Sequence, residues 1–219
     1  RDLHSFPTRR SSDLNAGLHL VLCQGRSTLT PDLIPGLVDA DGHFTGSATL
    51  AGLRYFFVRS LRPQLRSEIE AQLGAFDATG LVLSHLDGHL NLHLHPTVLS
   101  ILLELAGQYG IRAMRLPRDD LRVTLALDKK RLVYKLSHAL IFAALCRYAS
   151  RRLAVAGVRT AERVYGLLQS GEMTEAFLLG LLPRIRGGLI EWYCHVGLPP
   201  CRERSEEHTS ELQSRTLIS

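Results

Sequence analysis

An α/β fold built on parallel strands is predicted by three features of this 219-residue sequence. Short apolar runs recur along the chain, segments of helical periodicity lie between them, and glycines and prolines punctuate the joins. Alternation of this kind implies a parallel sheet with covering helices, open or closed into a barrel.

Residues 16–23 (AGLHLVLC) form an apolar run with one histidine and read as a buried strand. Pro31, Pro35, Gly36, Gly42 and Gly46 then mark a loop. Over residues 47–76, Leu61, Leu65, Ile69, Leu73 and Phe76 recur at helical spacing, which predicts one or two helices with Pro63 as a break or first-turn residue. A second strand starts at residues 81–83, a helix over 96–109 stops at Gly110, and residues 111–116 form a third strand. Three more helices are predicted over 132–155, 161–169 and 174–185, followed by a buried strand over 188–195. In such folds catalytic side chains gather at the C-terminal ends of the strands, where His19, His89 and His195 fall.

Composition bounds the function. With 45% hydrophobic and 21% charged residues the chain is a globular domain rather than a disordered one. Its net charge of +5 is spread out, so no nucleic-acid partner is expected. No apolar stretch approaches the roughly 18 residues of a membrane span. Four cysteines without a CxxC pair suit a reducing, cytoplasmic compartment. The two ends differ in character from the middle: residues 1–14 and 204–219 match short-read sequencing adapters translated in frame, which leaves residues 15–203 as the domain.

Chemistry concentrates in residues 84–96 (SHLDGHLNLHLHP). His85, Asp87, His89, Asn91, His93 and His95 would share one face if the segment were extended, and histidine with aspartate on one face is a metal-site pattern. Geometry restricts that reading. Side chains two residues apart on a strand are about 6.6 Å apart, whereas a metal ligand sits about 2 Å from its ion, so one straight strand cannot supply three ligands. The segment must bend, with Gly88 the natural place, and further ligands must come from neighbouring strands. No HExxH zinc signature is present, and the order HxDxH differs from the HxHxDH of beta-lactamase-like metalloenzymes. His19, alone among apolar residues of a buried strand, needs a partner to offset its desolvation.

GLHLVL at residues 17–22 together with HLDGHLNLHLHP at 85–96 resembles the YdjC-like carbohydrate deacetylases. The stretch 34–44 and IRAMRLP at 111–117 also fit, and with residues 54–66 they are most similar to the hopanoid-biosynthesis-associated branch. The resemblance implies a barrel-like (β/α) fold, here N-terminally truncated because the family's first strand, with its Asp-Asp pair, would precede residue 15. It also implies a divalent metal, Mg2+ ahead of Zn2+, held by His19 and His89. Asp87 and His195 take catalytic positions, His195 as the acid that protonates the departing amine; His93 is adjacent to the site. In the family's late Cys-His-Pro motif this chain has Val196 in place of proline.

The implied reaction is hydrolysis of an N-acetyl group from an amino sugar, with a glucosamine headgroup on a hopanoid lipid as first choice and a soluble chito-oligosaccharide as the alternative. Without the upstream Asp-Asp strand, the chain as given is expected to be inactive and to bind metal weakly. A metal-free binding or scaffold protein on the same fold is the competing class. Residues 53–62 (LRYFFVRSLR) interleave aromatics with arginines as an interfacial helix would, which allows peripheral contact with the inner face of the membrane; core packing with one solvated face is the simpler account. The oligomeric state is not encoded in any pattern.

Overall fold

The computed structural model describes residues 16–193. Strand β1 (Gly17–Leu20) and strand β2 (His85–Gly88) pair in parallel, with His19 opposite Asp87. Gly17 makes this approach possible, since a Cβ there would lie 2.5 Å from the His85 ring. The sheet continues through parallel bridges, Leu86 to Met114 and Ala113 to Arg159. Strand β3 (Arg163–Tyr165) then pairs in parallel with strand β4 (Ile190–Trp192). The α/β class with parallel strands holds. Among the described residues the strands form two two-stranded sheets, and no closed barrel is seen.

Helices α1 (Ala48–Phe57) and α2 (Arg62–Asp77) fill the long crossover between β1 and β2. Ser47 caps α1 by accepting the Leu50 N–H, and Pro63 sits in the first turn of α2, where its missing N–H is harmless. The α2 stripe Leu65, Ile69, Leu73 is buried against the sheet, as the spacing predicts. Helix α3 (Pro96–Leu105) is apolar nearly all round and covers the same core through Val98, Leu99, Ile101 and Leu102. It is shorter than the expected 96–109; turns run on to Gly110, which takes a left-handed φ of 65°. The long helix α5 (Leu132–Val155) lies where the sequence puts it.

Several expectations are corrected. Residues 81–83 are not strand: Val82 is 85% exposed, and the chain joins the sheet at Ser84, whose N–H donates to the Ala16 carbonyl at 2.9 Å. Residues 111–116 pair only through isolated bridges. The helix expected over 161–169 is instead β3 and a turn, because backbone pairing with β4 and two N–H bonds to Asp119 outweigh the local period. Helix α4 (Leu121–Leu127) was not foreseen; Asp120 caps it by accepting from Arg122 and Val123. Helix α6 (Glu175–Leu181) is shorter than expected and gives way to a 3-10 turn at Pro183. Of the strand expected over 188–195, residues 190–192 form β4, and His195 lies outside the described residues. So do both terminal segments assigned to adapters.

Candidate active site

The loop after β1 is clamped from α2 by two buried polar side chains. Glu68 accepts the N–H groups of Thr28 and Leu29 at 2.8 and 3.0 Å, and Gln72 exchanges bonds with both backbone groups of Val21. Buried polar groups saturated in this way cost little and fix the loop they hold. Tyr55 adds a bond from its hydroxyl to the Leu22 carbonyl. The C-terminal end of β1 is thereby held beside β2, which sets His19 against Asp87.

His19 Nδ1 lies 2.8 Å from Asp87 Oδ1. A carboxylate only accepts, so Nδ1 carries the proton, and in the neutral imidazole Nε2 then holds the lone pair. That Nε2 is buried and has no hydrogen-bond partner among the described residues. The His89 ring stands edge-on to His19 at 5.7 Å between centroids. His89 follows β2 directly and donates from Nε2 to Gln24 Oε1 at 3.2 Å. Gln24, at a left-handed φ of 49°, also bonds Gly46 and so orients that histidine from the β1 loop.

On its other side Asp87 pairs with Nη1 of Arg115, and Arg115 reaches Glu191 on β4 through Nε at 2.6 Å. The Tyr193 ring stacks 5.0 Å from the guanidinium. Burial opposes ionisation of Asp87, but the His19 hydrogen bond and the Arg115 charge outweigh it and hold the carboxyl well below its usual range. Ionic contacts and rings thus form one chain, His19 to Asp87 to Arg115 to Glu191. Sequence patterning gives Gln24 and Glu191 no role in the site; Arg115 enters it only as part of the IRAMRLP stretch at the end of the third apolar run.

The alternation of residues 85–95 breaks where the geometric argument puts the bend. After Gly88 the chain enters a 3-10 segment, with Leu90 and Asn91 at left-handed φ of 48° and 57°. The six polar positions consequently do different things. His85 bonds Ser84, and His95 caps α3 by accepting the Thr97 N–H. His93 is fully buried, donates from Nε2 to the Arg115 carbonyl, and keeps an unpartnered Nδ1. Burial pushes its pKa down to about 4, so it is neutral. Gly88 leaves room for it, because a Cβ at 88 would meet His93 Nδ1 at 3.0 Å. His43 sits in the exposed loop beside Asp39, away from this group.

The donor set suits a divalent ion in part. His19 has the arrangement of a metal-binding imidazole, one nitrogen bonded to a carboxylate and the other bare, with His89 beside it. Among the described residues, however, no three His, Cys, Asp or Glu side chains form a group that would hold an ion by themselves. The site therefore offers two imidazoles, with other positions left to water or to groups beyond the described residues.

The family model for YdjC-like proteins matches residues 4–216. The chain belongs to the YdjC-like protein family. Among the curated relatives of this YdjC-like chain, one named carbohydrate deacetylase from Brevibacillus brevis is 37% identical over 98 residues, covering 45% of this chain and 36% of the relative. Another, from Geobacillus stearothermophilus, is 36% identical over 118 residues, covering 49% and 44%. A human relative is 31% identical over 129 residues, covering 53% and 34%. The YdjC-like chain thus spans less than half the length of these relatives. Its fold resembles a crystal structure from Enterococcus faecalis V583, of a protein named for a proposed role in cellobiose-phosphate cleavage. The TM-score is 0.52 at 19% identity, covering 81% of this chain and 58% of that one.

Proposed function

We propose that this YdjC-like protein takes part in hydrolysis of the N-acetyl group of an amino sugar, with His19 and His89 as two protein ligands of a divalent ion, Mg2+ ahead of Zn2+. The observation that carries the reading is the bare, buried Nε2 of His19, held in that state by Asp87 beside the ring of His89. The name carbohydrate deacetylase, carried by the Brevibacillus and Geobacillus relatives, supports the reaction class.

A bound divalent ion supplies polarisation of the acetamide carbonyl and a water of lowered pKa. The protein's own contribution begins with Asp87, which fixes the His19 tautomer and ring plane. Asp87 is already committed to two strong donors, so its part is to position His19, and proton abstraction falls to another group. Arg115 keeps Asp87 ionised; Gln24 aims His89. His195 is assigned the proton delivered to the departing amine, on its near-neutral imidazole chemistry and its place just after β4.

For the substrate we favour a lipid-linked amino sugar, the glucosamine headgroup of a hopanoid, over a soluble chito-oligosaccharide. The support is the end of α1 and the turn after it, where Phe56 and Phe57 are exposed and Arg54, Arg59 and Arg62 lie close by in sequence. No helix among the described residues is long and apolar enough to cross a membrane, so contact would be peripheral. A second reading, a metal-free binding protein, is favoured by the absence of a three-ligand cluster among the described residues.

The test measures metal content and acetate release from N-acetylated chito-oligosaccharides and from a lipid-linked N-acetylglucosamine. It uses the 219-residue chain and a form with a relative's Asp-Asp strand joined ahead of Ala16. The expected result is metal-dependent release by the joined form, falling at least about 100-fold in His19→Ala. A folded joined form that holds metal but releases no acetate overturns the reaction; one that holds no metal favours the binding protein.

A further inference from the structure

A second concavity, of about 360 Å³, lies between α5, the turn after β3 and the loop 117–119. Three arginines line it, Arg118, Arg147 and Arg163, each from a different segment. None of the three forms an ion pair among the described residues, so their placement around one cavity is what sets them apart. The one acid in the lining, Asp119, is not available to them as a partner. Its Oδ1 accepts from Asp120 N–H and Thr124, and its Oδ2 accepts the N–H groups of Gly166 and Leu168. Asp119 builds the loop, and the arginines are left facing the cavity. Apart from Ser150, its remaining wall is apolar, with Phe142 and Ala143 from α5 and Leu168 opposite.

A cleft lined by charges of one sign focuses the field and raises the local concentration of an oppositely charged ligand. Three guanidinium groups against one carboxylate leave a formal +2 in the cavity. A phosphate monoester carries about −1.5 to −2 at neutral pH and offers oxygens that match the planar donors of arginine. We propose that this cavity binds a phosphate ester with an apolar body, the phosphate on Arg118, Arg147 and Arg163 and the body on the Phe142 and Leu168 wall. The volume lies in the range of small-ligand sites. None of the lining residues belongs to the His19 and Asp87 group, so the inference does not depend on the deacetylase reading.

Calorimetry with hexyl phosphate, inorganic phosphate and hexanol tests the site on the 219-residue protein. Hexyl phosphate is expected to bind at least tenfold tighter than either partial probe. Arg147→Gln with Arg163→Gln, both exposed and outside any ion pair among the described residues, should weaken it at least tenfold at an unchanged melting temperature. Arg151→Gln, on the same helix but outside the lining, should change it less than twofold. Flotation with phosphatidic acid vesicles against pure phosphatidylcholine vesicles identifies the source of the ester: recruitment lost in the double variant points to a lipid, and recruitment absent throughout points to a soluble ester. Hexyl phosphate binding that is no tighter than hexanol, or that survives the double substitution, overturns the proposal.

Discussion

His19 and Asp87 are direct partners across two parallel strands, and their side chains meet at 2.8 Å although 68 residues separate them. The pairing register brings the two Cα atoms abreast, and the hydrogen bond then decides which imidazole nitrogen stays unprotonated.

Asp87→Asn keeps the shape of the side chain but removes the charge that stabilises His19 as a ligand. Metal affinity is expected to fall by about 10- to 100-fold, the usual cost of losing a carboxylate behind a ligating histidine. His19→Ala and His89→Ala should abolish binding, and His43→Ala, in its exposed loop, should leave it unchanged. Competition with a chromophoric chelator reads all four; stoichiometric metal in His89→Ala would remove that residue from the site.

Arg115→Met leaves buried Asp87 with the His19 hydrogen bond but without its cationic partner, and strands Glu191 as well. Loss of one partner of a buried pair costs about 3–5 kcal/mol, whereas the double variant with Asp87→Asn should recover part of that loss. Urea denaturation of the four proteins measures the coupling, and simple additivity would show that the pair contributes nothing.

The neutral, buried His93 gives stability a specific pH dependence. Its pKa is about 4 when folded and 6.5 when exposed, so the unfolded chain binds more protons between those values. Stability contributed by this group is complete above pH 6.5 and is lost as pH falls toward 4, by on the order of 3 kcal/mol. Asp87, with its lowered pKa, adds a loss of the same sign at still lower pH. Midpoints of urea unfolding at pH 7.5, 6 and 4.5 check the slope; a flat profile would mean that His93 is hydrated.

Gly88→Ala should destabilise through space and not through backbone strain, because φ at 88 is −159°, open to any residue. The added methyl meets His93 side-chain atoms at 3.0–3.1 Å, and overpacking of this kind costs about 1–3 kcal/mol. Partial rescue by His93→Ala would locate the clash; no rescue would place the cost elsewhere.

Phe56→Asp with Phe57→Asp replaces exposed rings, so thermal stability should change little. Binding to anionic vesicles and turnover of a lipid-linked substrate should drop, while action on a soluble acetylated sugar is spared. Equal loss on both substrates would point to damage of the fold.

Helix α2 was readable because Leu65, Ile69 and Leu73 at helical spacing advertise one buried stripe, and α5 because a long run without glycine or proline lies ahead of Gly157. The His19 and Asp87 strands were readable because the apolar residues around two polar ones are unusual enough to demand a reason. Strand β3 was not: three residues carry no period, and what holds Arg163–Tyr165 extended is backbone pairing with a strand 27 positions further on. The same is true of Arg115 and Glu191, brought together across 76 residues by folding alone. Local pattern reports what a segment buries, and says little of which distant charge it will meet.

The span from Asp87 to Glu191 also sets an order of assembly. On the ribosome β1 and β2 emerge long before β4, so Asp87 and Arg115 must wait for Glu191 and Tyr193 to complete their surroundings. The His19 and Asp87 pair can therefore form before the outer half of the Arg115 surroundings, which waits for β4 to leave the ribosome.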